Sequence, residues 1–240
     1  MAQIRNDTVE ALDGVACDAT VVIPDRGRGP GLLLLQEIYG VGEFILERAQ
    51  LLAEAGYVVL CPDVFFRIER NVSLPHTDEG LAAAFGYMER FAALDPAVTS
   101  GDLQAGLARL RALPEVDGRP AGVMGYCLGG ALAYEVAVAG DPDCLVSYYG
   151  SGIAHRLDVA DQVRCPAIFH FGGRDPYIPV EEADQVRAAF APRPDVEVHV
   201  QPDAGHAFEN SFAAQFSDPE AAARSWPLTL DFLRRVLPVT

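Results

Sequence analysis

Cys127 stands in the stretch Gly122-Val123-Met124-Gly125-Tyr126-Cys127-Leu128-Gly129-Gly130, where a short apolar run ends in Gly-x-Cys-x-Gly and enters a helix-compatible segment, Leu128 to Ala139. Such a strand–turn–helix junction pushes one side chain outward, the arrangement called a nucleophile elbow. Glycines two residues to either side let neighbouring backbone pack close to a strained residue. A thiol at the tip can act as a nucleophile once a neighbouring imidazole raises its thiolate population. The same stretch also fits a small buried cysteine in a Gly-rich turn of the dinucleotide-binding kind. The residues that follow weigh against that second reading.

A thiol nucleophile needs a base and an acid to orient the base. Pro166 to Phe171 reads as a strand and runs into Gly172-Gly173-Arg174-Asp175-Pro176. Val196 to Gln201 reads as another strand and runs into Pro202-Asp203-Ala204-Gly205-His206-Ala207-Phe208. Asp175 and His206 therefore each lie on a loop just past a strand's C-terminal end, where open α/β sheets place their ligands. The order nucleophile, acid, base is that of α/β hydrolases. The intervals of 48 and 31 residues leave room for helix and strand to return the chain to one sheet edge. His206 would take the thiol proton and later activate water, while Asp175 would fix the ring tautomer. Taken singly, Asp175 also reads as a turn former and His206 as a loop histidine.

Leu35-Gln36-Glu37-Ile38-Tyr39-Gly40 follows an apolar strand at the place where hydrolases of this architecture build half of an oxyanion hole. The backbone N–H groups of Ile38 and Leu128 could together hold a developing O⁻. Glu37 reads either as a solvated strand-end acid or as a carboxylate entering the site, where it would repel a thiolate.

The elements that must position these residues alternate. Strand-like segments recur near 18–25, 31–36, 57–61, 121–124, 144–149, 166–171 and 196–201, with helix-period segments at 43–55, 78–94, 101–112, 128–139, 181–191 and 219–237. This predicts one α/β domain over residues 1–240, a mostly parallel central sheet of about seven to eight strands with helices on both faces. The runs Leu32 to Leu35 and Val58 to Leu60 suit central parallel strands. Asp18 to Pro24 alternates more and is expected to be an antiparallel edge partner of the next strand. The final amphipathic helix is expected to cover a sheet face, with Arg234 and Arg235 near its end suiting the helix dipole.

At 240 residues, half of them apolar, the chain can bury a sizeable core. It holds no 18-residue apolar run and no signal-peptide pattern, which points to a cytoplasmic protein, not a membrane one. Its 34 acidic against 18 basic residues give a net charge of −16, which argues against nucleic acid or anionic membrane as partner. The five cysteines show no CxxC spacing and read as free thiols, with no metal site or cofactor implied. Cys61 and Cys144 read as buried thiols, His170 and His199 as strand residues, and His76 and His155 as loop residues without ligand-like partners. A monomer or a small homo-oligomer is expected.

Gln36-Glu37-Ile38-Tyr39-Gly40-Val41, Tyr57 to Asp63, Gly125-Tyr126-Cys127-Leu128-Gly129-Gly130, Tyr148-Tyr149-Gly150, Phe171 to Asp175 and Ala204 to Phe208 occur in order along nearly the whole chain. Together they resemble the dienelactone hydrolase family, the carboxymethylenebutenolidase-like α/β hydrolases. The resemblance implies an α/β-hydrolase fold, a triad of Cys127, Asp175 and His206, and Glu37 as the carboxylate that contacts the resting thiol and takes its proton when substrate binds. Tyr39 and Phe208 flank these positions and are substrate-contact candidates. In that family two arginines hold a substrate carboxylate, one of them four residues after the catalytic histidine. Here that position is Asn210, preceded by Glu209, while Arg67, Arg70 and Arg90 are the nearby candidates for the other and read as surface charges. Asparagine cannot supply the charge of a bidentate arginine.

Sulfur also bears on the substrate. A thiolate adds readily to a carbonyl but leaves readily too, so an alkyl ester's tetrahedral intermediate returns to reactants. An enol leaving group, as in an activated lactone, competes. The expected function is hydrolysis of activated lactones or enol esters through a thioacyl-enzyme. The alternatives are a thioesterase or carboxylesterase acting on a neutral substrate, or a ligand-binding homologue without turnover.

Overall fold

A computed structural model describes residues 2–239. The chain divides into two compact units, one running to Gly122 and including Val239, the other Val123–Pro238.

In the first unit the strands are β1 (Gln3–Glu10), β2 (Ala16–Ile23), β3 (Gly31–Leu35) and β4 (Val58–Pro62), in the spatial order β1-β2-β4-β3. β3 and β4 run parallel, with Leu32 beside Val59, and every residue of both is buried, as continuous apolar runs require. β2 pairs antiparallel with β1 on one side and with β4 on the other. This corrects the expectation for Asp18 to Pro24, which is an inner strand, while β1 forms the edge. β1 escaped the sequence reading because Gln-Ile-Arg-Asn-Asp-Thr-Val-Glu presents mostly polar side chains, in keeping with its largely exposed face.

Helix α1 (Glu43–Glu54) packs on β2 and β4, and α2 spans Asp78–Ala92. Helix α3 (Pro96–Arg111) packs on β1, β3 and β4. It starts five residues before the expected 101, because the Asp95 carboxylate accepts the Ala97 N–H and Pro96 occupies the first turn. Two ion pairs fasten the polar β1 from outside, Arg109 to Asp7 and Arg5 to Glu115.

In the second unit β5 (Ala121–Tyr126), β6 (Leu145–Tyr148), β7 (Ala167–Gly172) and β8 (Val196–Gln201) lie in sequence order, all parallel. Their C-terminal ends therefore share one edge. Helix α4 (Leu128–Ala139) packs on β6, and α5 (Val180–Ala189) on β7 and β8. Two short 3-10 pieces fill Ile153–Gln162, kinked at Arg156 (φ −127°, ψ 25°), where the sequence pattern indicates no element.

Helix α6 (Pro219–Val236) covers β7 and β8 as expected, burying Ala221, Ser225, Thr229, Phe232 and Leu233 on one face. Its Thr229 hydroxyl meets the Tyr148 hydroxyl at 2.7 Å and His170 Nε2 at 2.9 Å. His170 is fully buried, and desolvation followed by His199 holds its pKa well below the ordinary histidine value, so it is a neutral core ring. Eight strands among the described residues, with helices packed on them, meet the expected α/β class.

Candidate active site

Strand β5 ends at Tyr126, and the next residue adopts φ 53°, ψ −117°, a backbone region that a side chain rarely occupies. That residue is Cys127. Its N–H donates to Tyr148 O at 3.0 Å and its carbonyl accepts the Gly130 N–H at 2.9 Å, so bonds on both sides hold the strained turn. A Cβ on Gly125 would lie 2.0 Å from Gly129 O, which explains the glycine before the turn. Cys127 is the N-cap of α4 and partly exposed. The N–H of Leu128, first in that helix, has no intrahelical acceptor, and the positive helix end favours an anion beside it.

His206 Nε2 lies 3.1 Å from Cys127 Sγ, and Nδ1 lies 2.7 Å from Asp175 Oδ2. The other oxygen of Asp175 accepts the N–H groups of Tyr177 (2.8 Å) and Ile178 (3.1 Å). Asp175 thus sets one oxygen on the turn and the other on the ring. The loops carrying the two residues are tied together. Gly173 N–H donates to Gln201 O and Arg174 N–H to Ala204 O. Rings of Tyr149 and Tyr177 stand 5.2 and 5.1 Å from the imidazole. Tyr149 (φ 38°) and Ala207 (φ 52°) add further left-handed backbone beside it.

Burial opposes charging of His206, but Cys127 and then Asp175 outweigh it and carry the ring's pKa up to about 10. Within this unit the structure therefore brings Cys127, His206 and Asp175 into one hydrogen-bonded chain.

The segment after His206 is built into the core. Phe208 is fully buried, 5.2 Å from the Tyr149 ring. Glu209 is buried and accepts from the Ser225 hydroxyl. Asn210 is fully buried, its Oδ1 accepting the N–H groups of Phe212 (3.0 Å) and Ala213 (3.2 Å). A cavity of about 600 Å³ beside His206 is lined by Pro176, Phe216, Asp218 and Glu220 among others. No arginine or lysine occurs between Arg193 and Arg224, and the lining of this cavity sets the carboxylates of Asp218 and Glu220 beside the His206 ring.

In the N-terminal unit Glu37, Ile38 and Tyr39 are all buried. Glu37 Oε1 lies 3.0 Å from His76 Nε2, and the Tyr39 and His76 rings are 4.4 Å apart. This corrects the reading of His76 as a loop histidine without partners. The contact spans 39 residues, and no local pattern announces it. Arg67 is bound to Asp13 and Asp102, Arg70 to Asp18 and the Ala16 carbonyl, and Arg90 to the Ile68 carbonyl.

The remaining cysteines are buried and poor nucleophiles. Desolvation pushes Cys17 and Cys61 up to about 12, Cys165 to about 11 and Cys144 well above the usual thiol value. Among the described residues no cluster of three or more histidine, cysteine or carboxylate side chains is placed to hold a metal ion, and no helix is long and apolar enough to cross a membrane.

A family model described as the Dienelactone hydrolase family matches residues 17–237. The chain is 39% identical over 232 residues to a carboxymethylenebutenolidase of Pseudomonas sp. (strain P51), covering 97% of this chain and 95% of that one. It is 34% identical over 227 residues to a carboxymethylenebutenolidase of Pseudomonas putida, covering 94% of each. Among solved structures, a dienelactone hydrolase-like promiscuous phosphotriesterase from metagenomic libraries superposes with a TM-score of 0.80 at 25% identity, covering 98% of this chain and 99% of that one.

Proposed function

Because the chain belongs to the dienelactone hydrolase family and is thereby an ester-bond hydrolase, we propose that it opens activated lactones or enol esters through a thioacyl-enzyme formed on Cys127. The observation that carries this reading is the unbroken chain Sγ–Nε2/Nδ1–Oδ2 from Cys127 through His206 to Asp175. With its pKa carried to about 10, the His206 ring is charged at neutral pH and holds an Nε2 proton 3.1 Å from Sγ, ready for the leaving group. The thiolate adds to the substrate carbonyl, and the N–H of Leu128 receives the developing O⁻ at the helix terminus. The intermediate collapses by breaking the C–O bond to the enolate, which takes the Nε2 proton. The neutral ring then removes a proton from water, hydroxide adds to the thioester, and the C–S bond breaks to return the thiolate. Asp175 keeps Nδ1 protonated throughout.

Family resemblance, not placement, supports two further roles: Ile38 N–H as second oxyanion donor and Glu37 as the carboxylate that takes the resting thiol's proton. Losing one such donor typically costs roughly 3–4 kcal/mol of transition-state stabilisation.

The relatives are carboxymethylenebutenolidases, and for this chain that substrate class is the first to test. A second reading, a neutral activated ester or thioester, is favoured by the burial of Asn210 and the carboxylates beside His206. The test follows the ultraviolet absorbance loss of cis- and trans-dienelactone with wild type beside Cys127→Ala. Saturable hydrolysis abolished by the substitution supports the first reading. Turnover confined to neutral activated esters supports the second. Turnover retained by Cys127→Ala would overturn the nucleophile.

A further inference from the structure

We infer that His76 is the positioning residue that fixes the carboxylate of Glu37 for the reaction; this rests on the catalytic role proposed above for Glu37. A carboxylate only 2% exposed must be paired or hydrogen-bonded, since stranding it away from water is costly. His76 Nε2 meets Glu37 Oε1 at 3.0 Å, and the two side chains are just 6% and 3% exposed. A charge-capable pair at that depth is placed with far less freedom than two surface chains.

The backbone that delivers His76 is itself fixed. Leu74 N–H donates to Tyr39 O at 2.9 Å, and Gly40 forms an isolated antiparallel bridge with Ser73. Gly40 has φ +89°, and a Cβ there would stand 1.8 Å from Val72 O, so the two segments meet at backbone contact. On its other side His76 immediately precedes Thr77, the N-cap of α2, whose hydroxyl accepts the Gly80 N–H at 3.2 Å. The imidazole is thus held between a bridge and a helix start, with the Tyr39 ring 4.4 Å away.

A carboxylate that must accept a proton and return it at each turnover gains from one fixed rotamer, and a hydrogen-bonded ring helps to supply it. A purely structural pair would satisfy burial but leave turnover untouched, and the two roles separate experimentally.

The experiment compares His76→Phe, His76→Gln, Glu37→Gln and the Glu37→Gln/His76→Phe double variant on an activated ester, with melting temperatures recorded for each. Positioning predicts that His76→Phe lowers kcat roughly tenfold with KM little changed, and that His76→Gln, which keeps a donor, recovers most of it. The double variant should be no slower than Glu37→Gln alone, because both act through one group. Retention of wild-type kcat by His76→Phe while Glu37→Gln is slow would overturn the inference and leave the role of Glu37 standing. So would multiplying losses in the double variant. Wild-type kcat in Glu37→Gln would overturn the role of Glu37 and this inference with it. Should His76→Phe fail to fold, the ring nitrogens of His76 in wild type give the answer by long-range ¹H–¹⁵N spectra. Their shifts must change in Glu37→Gln, and unchanged signals would refute the pairing.

Discussion

A Cβ built on Gly125 would lie 2.0 Å from the carbonyl oxygen of Gly129, and both partners in that clash are backbone. The turn at Cys127 therefore closes only around a residue without a side chain. Gly125→Ala must push α4 away from β5, and overpacking of this kind costs about 1–3 kcal/mol. The expected result is a lowered melting temperature together with a loss of turnover larger than the lost stability explains, because the displaced helix carries both Cys127 and the Leu128 N–H. Wild-type turnover in a well-folded Gly125→Ala protein would refute this account of the elbow.

Asp175 divides its oxygens between the ring and the turn, so its variants should separate. Asn can keep an oxygen toward Tyr177 and Ile178 while losing the charge that pairs with imidazolium. Asp175→Asn is expected to fold near wild type and lose on the order of 10²–10⁴ in kcat, the scale seen when a triad acid is neutralised. Asp175→Ala should in addition melt earlier, since two N–H groups lose their acceptor. Kinetics alongside thermal unfolding would show whether the two losses come apart in this way.

His206 also makes a pH prediction with a definite sign. Its folded value of about 10 lies above the ordinary 6.5. The stabilisation from this charged ring is therefore complete below pH 6.5 and is lost as pH rises through about 10. Urea unfolding of wild type and His206→Gln at pH 6, 8 and 10 should give a stability difference that shrinks as pH rises across this window. A difference that grows with pH would mean that the ring is neutral in the folded protein.

Thiol reactivity should follow burial. Cys127 is the partly exposed member of five free cysteines, while the other four are buried and held at raised pKa values by desolvation. Iodoacetamide is expected to modify Cys127 alone in the native protein and all five after unfolding, read by peptide mass spectrometry. Rapid native labelling of Cys61 or Cys144 would contradict the packing described here.

The elements of this site differ in how far the sequence exposes them. The strand ends carrying Cys127, Asp175 and His206 were legible, because the first two follow apolar runs with glycines that backbone approaches closely, and His206 follows the alternating strand Val196 to Gln201. β1 was not, since an edge strand wets one side and its polar residues erase the alternation. Nor were the two 3-10 pieces over Ile153–Gln162, which pack against α4 and α5. The Glu37–His76 pair stayed hidden for a third reason. Its partners meet through a bridge between Gly40 and Ser73, and sequence spacing does not encode a bridge of one residue pair.

Asn210 shows how burial changes an experiment that sequence alone would favour. By position it stands where the family carries a carboxylate-binding arginine, so Asn210→Arg invites itself as a way to restore anion binding. The side chain is instead fully buried, and its Oδ1 holds the N–H groups of Phe212 and Ala213. Arginine at this position would lose both acceptor contacts and put a guanidinium into the core beside Phe208. Leaving two donors unpaired costs about 1–3 kcal/mol each, and an unpaired buried charge adds several more unless it reaches Glu209. The expected outcome is a protein that melts well below wild type with no gain on acidic lactones. Asn210→Asp, which keeps the oxygen, should fold and retain turnover of neutral esters. If Asn210→Arg instead folds well and gains activity on carboxylate-bearing lactones, the segment after His206 can open to present residue 210 to substrate, and the neutral-substrate reading loses its main support.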